Sequence, residues 1–143
     1  LPIVSYARGV LAIAQTVHCW LAILTGLDEA RRVRLAGYAE RIATTLERAG
    51  EALRRLEADP ADRSARGQAV RELGRIAGYI DTMVGALEQQ LDGRKLAGVK
   101  RRLEVLRPGE LHRNVVAGRK PKDLDRLASA EGYFRALADG LRM

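Results

Sequence analysis

Apolar residues recur along this chain at intervals of three and four. Leu35, Tyr38, Ile42, Leu46, Ala49, Leu53 and Leu56 mark one stripe. Val70, Leu73, Ile76, Ala77, Ile80, Met83, Val84, Leu87 and Leu91 mark a second. That period places each set on one face of an amphipathic helix. Between the stripes lies ADPAD, where Asp59 suits a cap, Pro60 a first helical position and Asp62 a first turn. Helices over about 28–58 and 60–92, joined by so short a turn, are expected to form an antiparallel hairpin.

Upstream, an apolar helix is predicted from about Pro2 to Gly26. Gly9 to Gly26 carries no charge, which raises the question of a membrane span. Gln15, Thr16 and His18 near its centre argue against one, because polar groups are costly in lipid. A helix apolar all round is more naturally a buried central helix, although a dimer interface would also use it. Downstream, a helix is predicted over about 94–107, stopped by Pro108-Gly109. A short element follows over 110–117, then the basic loop Arg119-Lys120-Pro121-Lys122. A last helix from about Asp123 carries Leu124, Leu127, Phe134, Leu137 and Leu141. No alternating Val/Ile/Thr/Tyr run signals a strand. The expectation for residues 1–143 is one all-α domain, a bundle of four long helices plus a short helical connector.

Composition changes this picture little. Apolar residues at 47% provide for a core, and aromatics at 4% make it aliphatic. The single cysteine, Cys19, excludes an internal disulfide and is compatible with a reducing compartment, so a cytoplasmic location is expected. A first residue of Leu1 fits a processed or truncated form.

Charge changes it more. Residues 94–122 hold ten Lys or Arg against Glu104 and Glu110, a sum of +8, whereas the net charge of the whole chain is +7. The candidate partner-binding residues are therefore Lys95, Lys100, Arg101, Arg102, Arg107, Arg113, Arg119, Lys120 and Lys122. On a helical projection Leu96, Val99, Leu103 and Leu106 form the buried stripe of 94–107. Lys95 and Arg102 then take one shoulder, Lys100 and Arg107 the other, and Arg94 and Arg101 the far side. Cations so distributed suit a solvated flank, with aliphatic stems covering the core edge. The shortage of acids across the longer segment points instead to a field that attracts polyanions.

Two functional readings share that segment. The favoured one is a non-catalytic interaction or regulatory module with an acidic protein partner; the alternative is a nucleic-acid-binding regulator. The order helix, breaker, short helix, basic loop, helix is loosely compatible with a helix-turn-helix, with His112, Arg113 and Asn114 at contact positions. Residues 94–122 contain no aromatic side chain, which disfavours base stacking.

Gly67, Gly74, Gly78 and Gly85 fall within about 40° of one another on the third helix, away from its apolar stripe. Internal glycines cost about 1 kcal/mol each against alanine, which asks for a reason. Close approach by the first helix or by a second copy in a homodimer would supply one, and Gly74 and Gly78 have the GxxxG spacing. Chance alignment in a chain with 14 glycines is the other account.

Evidence for chemistry is thin. His18 lies mid-helix, where a hydrogen-bonded core histidine is expected, and Cys19 beside it points in another direction. Two distant histidines and one cysteine make no zinc set without carboxylates. Phosphotransfer at His112, next to Arg113, is the one enzymatic alternative. The acids Asp28/Glu29, Asp59/Asp62 and Asp123/Asp125 all stand at helix starts, where capping accounts for them. The expectation is a non-enzyme with no cofactor and no metal.

Overall fold

The computed structural model describes residues 3–87, 97, 101 and 121–143. It is an all-α helical bundle. Its helices are α1 (Ile3–Cys19), the single turn α2 (Leu21–Leu24), α3 (Glu29–Ala58), α4 (Arg63–Leu87) and α5 (Pro121–Arg142).

The hairpin forms as its sequence directs. Asp28 caps α3, its side chain accepting from the Arg31 amide at 2.9 Å. At the turn, Asp59 is the C-cap of α3, and its carboxylate accepts from the Ala61 amide at 3.1 Å. Asp62, rather than Asp59, caps the next helix: its Oδ1 accepts from the Ala65 amide at 3.0 Å, three residues into α4. Pro60 consequently sits in the turn, and α4 begins at Arg63 rather than at the proline. At the other end of the chain, Pro121 opens α5 two residues before the expected start. A proline suits that place because the first helical N–H has no intrahelical acceptor.

The helices pack in the order α1, α5, α3, α4, with α2 against α5. This order explains the width of the buried surface on α3. Leu35, Ile42, Leu46, Leu53 and Leu56 are joined by Ala36, Ala39, Ala43, Thr45, Ala49, Gly50 and Ala52. Together they span about 200° of the helix at 100° per residue, room for neighbours on two sides. Small residues occupy the edges of that arc, where helix axes come closest. α5 is likewise flanked twice, by α3 and by α1, and buries Leu127, Ala130, Phe134, Leu137, Ala138 and Leu141.

α1 departs from expectation. Among the described residues it packs against α5, and it buries Ala7, Val10, Ile13, Ala14 and Val17 while Arg8, Gln15 and Cys19 are exposed. It also stops early. The Trp20 amide donates to the Val17 carbonyl, a three-residue step that breaks the helical register before α2 restarts it. Among the described residues, no helix is long and apolar enough to cross a membrane.

Candidate binding groove

The polar face of α3 mixes signs in sequence, but packing sorts them. On the side toward α5, the Arg142 guanidinium donates to Glu40 at 2.5 Å. Arg135 on the same side donates to Glu47 at 3.0 Å and to Glu131 at 2.9 Å. The hydrogen bond from Arg142, helped by its charge, holds the Glu40 carboxyl below the usual carboxylate range. Glu131, first, and then Glu47 and Glu40 hold Arg135 still more firmly protonated than usual.

On the side toward α4 the acids are fewer and already engaged: Glu40 by Arg142, and Glu72 beside Arg75. An open groove of about 460 Å³ runs between the two helices, lined by Gly37, Glu40, Arg41, Thr44, Thr45 and Arg48 from α3 and by Arg75 and Tyr79 from α4. Thr45 returns its hydroxyl to the Arg41 carbonyl at 2.6 Å. Arg41 and Arg48 are exposed and make no ion pair with any described residue. The wall contributed by α4 is more ordered. Arg75 donates to the Tyr79 hydroxyl at 3.2 Å, lies 5.8 Å from that ring's centroid, and stands 3.5 Å from Glu72. The Tyr79 hydroxyl, first, and then the Glu72 carboxylate raise the Arg75 pKa. Glu72 is only 8% exposed, and its second carboxylate oxygen is buried without a hydrogen-bond partner. Nearer the hairpin turn, Arg55 donates to Gln68 across the same groove.

Most of the residues singled out by sequence fall elsewhere. Lys95, Lys100, Arg102, Arg107, Arg113, Arg119 and Lys120 lie outside the described residues, as does His112. Lys122 is in the first turn of α5. Arg101 is helical and exposed, in keeping with its place opposite the apolar stripe. The glycines do form an outward strip: Gly78 and Gly85 are exposed, Gly67 and Gly74 half-buried. A Cβ built at Gly74, Gly78 or Gly85 meets no described atom within 4 Å. The expected approach of the first helix to this strip does not occur, since α1 packs against α5 instead.

His18 is half-buried rather than fully in the core. Its ring meets Tyr133 edge-on at 5.5 Å, at the margin of a shallow apolar hollow with Ser129, Gly132 and Ala136. Among the described residues, no three His, Cys, Asp or Glu side chains gather as metal ligands. The groove arginines escaped sequence reasoning because α3 reads as a mixed-sign face. The missed signal is recurrence: Arg34, Arg41, Arg48 and Arg55 are each seven residues apart.

No protein-family model matches the chain, and no curated protein or solved structure is significantly similar to it. What the groove does is therefore argued from its own residues.

Proposed function

We propose that this chain is a non-catalytic helical interaction module that holds an acidic partner against its cationic surface. The observation that supports this reading is the sorting of charge on α3. Carboxylates are present on the helix, yet Glu40 and Glu47 are engaged by α5, and Arg41 and Arg48 pair with none among the described residues. Guanidinium groups along an open groove remain available for bidentate pairing with carboxylates. The segment 94–122, with its sum of +8, adds to the same long-range attraction. A homodimer is part of the proposal, with the glycine strip of α4 as its contact.

The experiment is a titration of the full chain with poly-L-glutamate, following native mass by light scattering at several salt concentrations. Complex formation at about 50 mM salt that weakens steeply as salt rises is expected. Absence of any complex at the lowest salt would remove the reading. A mass of one chain without polyanion would remove the homodimer alone.

A further inference from the structure

Arg34, Arg41, Arg48 and Arg55 form a single row on α3. Seven residues rise about 10.5 Å along a helix, so the row covers about 31 Å. Seven residues also fall about 20° short of two full turns, so the row drifts gradually around the axis. A neighbouring helix in a left-handed supercoil follows that same path. The four side chains are exposed, and within their strip, about 60° wide, α3 carries no acid. Glu51 stands outside the strip, Glu47 lies further round toward α5, and Glu40, which borders the groove, is engaged by Arg142.

Across the groove, Arg75 is held in place by Tyr79 and Glu72. Arg41, Arg48 and Arg75 therefore surround one trough, with the Thr44 side chain between the two α3 arginines. The charge and the repeat together say what fits. The occupant must be anionic, elongated and periodic at about 10.5 Å, the rise of one helical heptad.

We propose that the α3–α4 groove docks an acidic amphipathic helix from a partner protein, with carboxylates at seven-residue spacing set against Arg34, Arg41 and Arg48. This rests on the interaction-module reading above and adds the form of the partner. The chain's own segment 94–122 does not meet the requirement, because ten cations there surround two acids. A second copy presenting this face would oppose arginine to arginine. A duplex nucleic acid carries one charge per about 3.4 Å of each strand rather than one per heptad, and the test below separates it from an acidic helix.

The test uses the full chain and two fluorescent synthetic helices of about 21 residues, three heptads, with identical composition. One carries glutamates at every seventh position on its polar face; in the other the same glutamates are moved off that repeat. Anisotropy titrations are run with both helices, and with a DNA duplex and an oligonucleotide of similar charge. The heptad helix is expected to bind about tenfold more tightly than its permuted twin, and Arg41→Glu with Arg48→Glu to abolish that preference. Arg41→Gln with Arg48→Gln should reduce it in the same direction, and circular dichroism checks that each variant is folded. Arg101→Glu with Lys120→Glu should leave the preference intact.

Equal binding of the two helices, or a preference that survives the α3 variants, overturns the docking inference. If neither helix binds while poly-L-glutamate still does, and that binding is lost in the Arg101→Glu/Lys120→Glu variant, the groove is refuted and the module reading stands. Failure of every acidic probe refutes both. Tighter binding of either nucleic acid than of the heptad helix, lost in the α3 variants, would overturn the inference in favour of a nucleic-acid ligand.

Discussion

The two flanks of α3 share a helix and a composition but not a chemistry. Toward α5, Glu40 and Glu47 meet Arg142 and Arg135 from residues about a hundred positions away in sequence, above a seam that includes Ala36, Ala43 and Gly50. Toward α4, Arg41 and Arg48 border an open trough and make no ion pair with any described residue. The pairs on the first flank are exposed, so screening by water leaves them little to contribute to stability. What they do is fix which side of the helix its acids occupy. On the second flank, Arg41 and Arg48 pair with no carboxylate among the described residues, which is the ground for the proposed docking groove.

The comparison implies that the buried seams beneath both flanks carry the stability and that the arginines bordering the open trough carry little. Its strongest test is Phe134→Ala. Phe134 is fully buried on α5, and truncating a buried phenylalanine removes about 3–5 kcal/mol. A shift of that size in the denaturation midpoint is expected, with Arg48→Ala remaining within about 0.5 kcal/mol of the parent. A comparable loss from Arg48→Ala would mean that the open flank is structural.

A smaller effect is expected on the outer surface of α4. Gly74 and Gly78 have no described atom near a prospective Cβ, so alanine gains helix propensity there without a clash. Within a single chain the double change Gly74→Ala/Gly78→Ala should raise stability by roughly 2 kcal/mol, whereas in the proposed dimer the added methyl groups fall in the contact and should weaken self-association. Light scattering on the same variant separates the two accounts of the strip. A mass unchanged from the parent leaves the glycines without a contact role; a fall from two chains to one assigns them to the dimer.

Much of this was legible from periodicity, and the rest depended on neighbours. The 3.6-residue stripes and the aspartates at the hairpin located α3 and α4 to within a few residues, because capping and amphipathicity are local. Ala36, Ala43 and Ala52 were not recognised as buried, since alanine occurs on either face and only a second neighbour reveals which. For the same reason the composition of α1 reports what it can bury, not which helix it packs against, which is α5. The sorting of charge on α3 could not be read locally at all. Arg135 and Arg142 decide it, and nothing in the sequence near Glu40 announces them. The seven-residue arginine row was in plain view, but among Glu40, Glu47 and Glu51 it looked like ordinary surface.

The finest distinction between the flanks concerns protons. Arg142 lowers the pKa of Glu40 from its ordinary value of 4.5 in the folded chain, chiefly through their hydrogen bond. A group whose folded pKa lies below its unfolded pKa favours folding while ionised, above the unfolded value. That contribution is lost as pH falls through the depressed folded value. The parent should therefore lose stability relative to Glu40→Gln as pH drops below about 4.5, with no divergence between them from pH 5 to 7. Thermal melts of the two proteins at matched ionic strength provide the measurement, and added salt should shrink the difference because the pair is exposed. Arg142→Gln should erase the acid-side difference, since it removes the cause of the shift. Arg48→Gln should leave it unchanged, because Arg48 is not among the groups that shift Glu40. A divergence that persisted in Arg142→Gln would mean that Glu40 is held by another group, and the closed flank would then not be closed by the pairs assigned to it.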